Sequence, residues 1–249
     1  MIAVRLCIMA VFLIGGWQLI VWLTGVPHFI LPTPLAVAVA LISDPTLYLH
    51  HAGITALEII LGLVIGTLIG ASTALIMVSA RSASKWLMPA LVVSQAVPVF
   101  ALAPILVLWL GYGLASKVAM AALIIFFPVT SAFLDGLRRT DSGWLDLAAT
   151  MQASPAAILW RVRIPAALPA FSSGLRVAAA VAPIGAIVGE WVGSSGGLGY
   201  LMLHSNGRMQ TDVMFAALAI LAVMGLALFF GLDRLLRSLT AWQSETGPN

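Results

Sequence analysis

Six separate stretches of this chain are each long and apolar enough to cross a lipid bilayer, which takes about 20 such residues in a helix. They lie at roughly 6–24, 54–79, 86–110, 117–135, 171–192 and 212–232. Between them they leave too few polar residues to cover a water-facing surface. Only 8% of the 249 residues are charged and 61% are hydrophobic, against roughly 25% charged in soluble domains. That excludes a soluble enzyme, a disordered tail and a nucleic-acid partner. The expected fold is all-α, integral to the membrane, with six transmembrane helices in one domain spanning 1–249 and lipid around it. The first stretch is longer than the apolar run of a signal peptide, and no small-residue cleavage site follows it. It is expected to stay as a helix.

The positions of the 12 Lys and Arg residues set the orientation. With six spans, Arg5, Arg81, Lys85, Arg138, Arg139, Arg161, Arg163, Arg176, Arg234 and Arg237 fall on one side. Only Lys117 and Arg208 fall on the other. Basic residues accumulate on the cytoplasmic side, so both termini are expected there. The single cysteine, Cys7, lies in an apolar run and provides neither a disulfide nor a Cys-based metal site. The outward segment 25–52 carries Pro27, Pro32 and Pro34, with a short interfacial helix expected at 35–42. A second outward segment covers 193–211.

The largest inward loop, about 136–170, has its own helix punctuation. Asp141 or Ser142 can cap a helix through about Met151. Ser154 followed by Pro155 reads as an N-cap with proline in the first turn. A second helix at 155–163 then carries Arg161 and Arg163 in its last turn, where the helix dipole favours cations, and Pro165 is expected to stop it. Leu145, Leu147, Ala148 and Met151 form one apolar side. On pattern alone this hairpin either packs on its own protein or meets another chain.

The stretch from Asp146 through Ala153-Ser154, followed by Arg161-Val162-Arg163-Ile164-Pro165-Ala166-Ala167-Leu168-Pro169, resembles the EAA loop of binding-protein-dependent ABC importer permeases. Asp146 takes the Glu place, Leu147 and Ala148 the two Ala places, and Gln152 the place of the family glycine. Further runs resemble the nitrate/sulfonate/taurine-type permeases of that family. They are Ser173-Gly174-Leu175-Arg176, Gly189-Glu190-Trp191-Val192-Gly193, Gly197-Leu198-Gly199-Tyr200-Leu201, Gln95-Ala96-Val97-Pro98 and Ala103-Pro104-Ile105-Leu106. The region from Val181-Ala182-Pro183 to Met209-Gln210-Thr211-Asp212 is more narrowly similar to permeases for thiamine-precursor pyrimidines. The resemblance implies a transport subunit in the bacterial inner membrane and no catalytic residue of its own. Two copies would form the pathway for a small polar solute, either a pyrimidine or nitrate, a sulfonate or taurine. Each would present a coupling helix, with Asp146, Leu147, Ala148, Met151, Gln152, Ala153, Ser154 and Pro165, to a dimer of ATP-binding subunits. ATP and Mg would sit on those subunits, and a periplasmic or lipid-anchored binding protein would deliver the solute. No cofactor or metal is expected on this chain. In keeping with that, the run Gly111 to Lys117 lacks the Gly-Lys pair of a phosphate-binding loop.

Other residues stand out against the apolar background. Ser94, Gln95 and Pro98 put polar groups and a kink inside the third stretch, and Pro183 does so in the fifth. Together with Glu190, they are the candidate pathway residues. Glu190 is either a gate or a structural hydrogen-bonding group, and Glu58 is expected at the interface. His50 and His51 are expected in a solvated outward loop. Gly62, Gly66 and Gly70, and likewise Gly185, Gly189 and Gly193, recur every four residues. That spacing permits close helix contact within the subunit or across a dimer seam. An ion-driven secondary transporter, the rival class, would need buried ionisable groups near mid-membrane, and the sequence places almost none there.

Overall fold

A computed structural model describes residues 2–240; Met1 and the polar tail 241–249 lie outside the described residues, as do the side chains of Arg5, Cys7 and Arg81. All regular structure in the described residues is helical. In order, the helices are α1 (Ile2–Thr24), α2 (Pro34–Ser43), α3 (Pro45–Ser79), α4 (Arg81–Ala96), α5 (Val99–Leu110), α6 (Leu114–Arg138), α7 (Ser142–Thr150), α8 (Pro155–Ile158), α9 (Ile164–Gly193), α10 (Leu198–Gly207) and α11 (Thr211–Leu239). The interfacial helix expected at 35–42 is α2, capped by the Thr33 hydroxyl. The second stretch begins earlier than its apolar core suggests. Pro45 sits in the first turn of α3 and the Asp44 carboxylate caps it, so polar residues 45–53 join the helix and His50 and His51 are helical. Those cap bonds, from Thr46 and the Leu47 N–H, hold the Asp44 carboxyl below its usual range.

Among the described residues, four helical segments are long and apolar enough to span a bilayer: Pro45–Ser79, Leu114–Arg138, Pro155–Gly193 and Thr211–Leu239. The third apolar stretch is not one kinked helix. It is two helices, Ser82–Ala96 and Val99–Leu110, bent by 101°. Of its three prolines only Pro98 breaks the helix; Pro89 and Pro104 lie inside α4 and α5. A residue before proline is pushed out of the α region. Val97, β-branched and extended at φ −88° and ψ 119°, gives way where Met88 and Ala103 do not.

Pro165 also departs from expectation. The chain runs from α8 through a π turn, Leu159–Arg163, straight into α9. The Ile164 N–H reaches back five residues to the Leu159 carbonyl. Pro165 therefore falls in the first turn of the next segment, where a missing N–H costs little, and the helix does not stop.

The centre of the molecule is α6, clasped by α3 and α9. Alanines and glycines let the three helices close on one another. A Cβ on Gly66 would stand 2.9 Å from the Ala122 carbonyl oxygen, and one on Gly185 would stand 2.6 Å from the Ala121 Cα. Gly62, Gly70 and Gly189 likewise face α6, and Gly193 faces Val107 of α5. Both glycine ladders thus make contacts inside the subunit. Ile59, Ala121, Ile125, Val129, Ala178 and Ala182 fill the middle of the core. Ala74, Phe133, Leu137 and Ala167 close it at the end that carries α7. At the opposite end, Leu198 and Leu201 of α10 pack with Val37, Tyr48 and Ala216.

Candidate functional site

Two short helices, one at each end of α9, carry the informative chemistry. The first is α7. The Asp141 carboxylate accepts the Gly143 N–H at 2.7 Å and caps it. Its C-terminus is closed by paired backbone bonds, Gln152 N–H to the Ala149 carbonyl at 2.9 Å and Ala153 N–H to the Ala148 carbonyl at 3.0 Å. This cap requires a left-handed residue between helix and loop, and Gln152 supplies it at φ 55°. The family pattern has glycine there because glycine adopts this conformation without strain. Gln152 keeps the geometry and accepts a cost of about 1 kcal/mol. Ser154 then caps α8 through the Ala157 N–H.

Among the described residues, most of the apolar side of α7 is left uncovered. Trp144, Leu147 and Met151 are 59%, 61% and 74% exposed, and only Ala148 is buried. With Arg161, Val162, Pro165 and Ala166 they line a cleft of about 510 Å³. Asp146, Gln152 and Ser154 are exposed and Ala153 is half-buried. Seven of the eight loop residues singled out from sequence therefore form or flank one exposed surface, and Pro165 borders the cleft from α9.

The pathway candidates are not brought together. Ser94, Gln95 and Pro98 lie at the α4–α5 break, where the Ser94 hydroxyl donates to the Leu91 carbonyl at 2.7 Å. Pro183 faces Gly225 of α11. Glu190 is 1% exposed, near the C-terminal end of α9, and accepts N–H groups of α10.

Sequence reasoning misses the cluster around Glu190. Its carboxylate accepts the Thr55 hydroxyl at 2.6 Å, the Gly199 N–H at 2.5 Å and the Tyr200 N–H at 3.2 Å. Thr55 in turn accepts the Leu198 N–H at 2.8 Å, and His51 Nδ1 accepts the Gly197 N–H at 3.0 Å. Glu58 is 1% exposed, covered by its own protein, with the Lys117 ammonium 3.8 Å away. Four ionisable side chains, His51 and Glu58 of α3, Lys117 of α6 and Glu190 of α9, are thus buried near one end of the bundle. Their partners lie on other helices, so no local pattern marks them.

The architecture is that of ABC transporter permeases. An amino acid ABC transporter structure superposes with a TM-score of 0.65 at 18% identity, covering 82% of this chain and 98% of that one. Residues 62–242 match the family described as the binding-protein-dependent transport system inner membrane component, and the chain belongs to it. A Haemophilus influenzae protein named "Probable ABC transporter permease protein" is 57% identical, with 88% of this chain and 90% of that one covered. The formylaminopyrimidine transport permease protein ThiX of Halalkalibacterium halodurans is 35% identical, with 92% of each covered. The riboflavin transport system permease protein RibX of Chloroflexus aurantiacus is 36% identical, with 98% and 91% covered. Permeases named for aliphatic sulfonates and for taurine also match, at 30% identity. The chain is a multi-pass membrane permease subunit of an ABC importer, in the group that includes the sulfonate, taurine and thiamine-precursor branches.

Proposed function

We propose that this chain works as a homodimer in the bacterial inner membrane, with a dimer of ATP-binding subunits docked on α7 and a binding protein delivering solute from the other side. The observation that carries the docking is the capped helix with an exposed apolar face beside a cleft. A rigid helix of this kind offers another chain a preformed surface at little entropic cost. Arg138, Arg139, Arg161 and Arg163 bracket it, which supports placing that end in the cytoplasm. Counting α1 and the bent α4–α5 pair as one span each gives six spans and returns both termini to the same side. ATP and Mg belong to the docked subunits, and this chain holds no cofactor and catalyses no reaction.

The solute is a small polar molecule of the thiamine-precursor pyrimidine class. Two features support this over nitrate, a sulfonate or taurine. Arg176, in the middle of the α9 segment, is held by Asp233 at 2.6 Å and so is not free to meet a strong anion, and the relatives named for formylaminopyrimidine and for riboflavin, at 35% and 36%, are more identical to this chain than those named for sulfonates and taurine. Pathway contacts are assigned to Ser94, Gln95 and Pro98, because broken helices place backbone and polar groups at transport sites.

Asp146→Lys tests the docking. The variant is expected to reach the membrane and to lose substrate-stimulated ATP hydrolysis in the assembled complex; full stimulation would refute the assignment. Thermal-shift screening of the cognate binding protein tests the solute. A shift by a sulfonate and none by pyrimidines would overturn it.

A further inference from the structure

Helix α10 does not cap itself. Its N-cap residue, Gly197, has no side chain, and its φ of 107° suits glycine alone. A Cβ there would run into the Glu190 carboxylate. The N–H groups of Gly197, Leu198, Gly199 and Tyr200 all go to side chains of other helices: His51 and Thr55 on α3, and Glu190 on α9. The bond from Thr55 to Glu190 spans the seam between α3 and α9. Any displacement of α9 along α3 therefore forces α10 to release one side or the other.

The strengths of the bonds decide which. Bonds to an ionised acceptor are roughly twice as strong as neutral ones, and a carboxylate at a helix N-terminus also meets the positive end of the dipole. Glu190 takes two N–H groups with that advantage, whereas His51 and Thr55 take one each with neutral acceptors. The helix α10 thus stays with α9. Glu190 also lies on the segment that starts at the coupling loop, because Pro155–Gly193 is one run of 39 residues. From Ile164 to Glu190 it extends about 39 Å at 1.5 Å per residue.

We propose that Glu190 is a positioning residue of the transport cycle, which makes α10 follow α9 so that displacement of the α7–α8 loop reaches segment 194–210 at the opposite end. The proposal rests on the coupling role assigned to α7. Leu198 and Leu201 hold α10 in the fold by apolar packing, so Glu190 sets how α10 moves and not whether it folds.

The test uses the assembled complex with Cys7→Ser, which removes the native thiol. Spin labels go on Leu49→Cys of α3 and Leu203→Cys of α10, both exposed. Electron–electron distances are read with and without Mg·ATP. With Glu190 in place, the nucleotide is expected to shift the distance between labels. Glu190→Ala should abolish that shift and lower nucleotide-coupled transport about tenfold or more while basal hydrolysis persists. Glu190→Gln, whose amide oxygen still accepts from Gly199 and Tyr200 but without the charge, should restore only part of the shift. A distance that ignores nucleotide with Glu190 present, or one that shifts normally in Glu190→Ala, overturns the proposal. So does loss of assembly and basal hydrolysis in both variants, which would make Glu190 a folding residue. Asp146→Lys in the same labelled background separates the two readings. A nucleotide response that survives Asp146→Lys removes the coupling role of α7, whereas a response lost only with Glu190→Ala still places Glu190 between α9 and α10.

Discussion

Helices α7 and α10 are alike in outline and opposite in construction. Each is short, each lies beyond an end of α9, and each closes with a left-handed residue that is not glycine: Gln152 at φ 55° and Met209 at φ 59°. In α10 the Met209 N–H bonds the Asn206 carbonyl at 3.1 Å and the Gln210 N–H bonds the Ser205 carbonyl at 2.9 Å, the same pair of bonds that ends α7. The N-termini differ. The α7 cap is its own exposed Asp141, while α10 depends on buried groups from α3 and α9. A self-capped helix keeps its shape while it meets another chain, whereas a helix with borrowed caps moves when its hosts move. The lenders of the cap, and not the helix itself, show which partner each end serves.

The contrast can be broken most severely at the left-handed positions. Proline is fixed near φ −65° and lacks the N–H that both caps use, at a cost of about 3 kcal/mol or more. Gln152→Pro is expected to uncouple ATP hydrolysis while the permease still inserts. Met209→Pro is expected to lower the unfolding midpoint of the purified permease and leave ATPase docking intact, as read by co-purification of the ATP-binding subunit. Equal effects of the two on docking would erase the distinction. A smaller difference should appear at the N-termini. Thr55→Val leaves the Leu198 N–H and one Glu190 oxygen short of a bond in a fully buried place, with an expected loss of about 2–3 kcal/mol. Asp141→Ala removes an exposed cap, worth about 1 kcal/mol. Denaturant unfolding in detergent should rank them in that order. The mildest changes, Gln152→Gly and Met209→Gly, relieve left-handed strain and should each stabilise by up to about 1 kcal/mol, seen as a higher unfolding midpoint with transport unchanged.

The same contrast explains what could be read from sequence. Asp141 and Ser154 accept N–H groups two and three residues away, and Pro155 fits the first helical turn, so the α7–α8 loop was legible without a structure. Gln152 could be aligned with a glycine, although only the backbone shows why a glycine belongs there. The α10 cap was hidden because Thr55 and Glu190 are 135 residues apart and Thr55 and Leu198 are 143 apart. The burial of Glu58 was hidden for the same reason: its cation, Lys117, belongs to α6. Pro165 looked like a stop because a π turn leaves no simple mark in sequence. The break at Pro98 did carry a signal, the β-branched Val97 before it, which distinguishes it from Pro89 and Pro104.

The length of α3 has a consequence for the surrounding lipid. Its 35 residues extend about 52 Å, well beyond the roughly 30 Å of hydrocarbon in a bilayer. With its polar first turns outside, the helix crosses the hydrocarbon from about the level of Glu58 onward. Glu58, Lys117 and Glu190 then sit at headgroup depth and not at the midplane, where an ionisable group is most costly to hold. Bilayer thickness therefore tunes this end of the molecule: thicker acyl chains draw the Glu58–Lys117–Glu190 layer toward hydrocarbon, and thinner ones leave it hydrated.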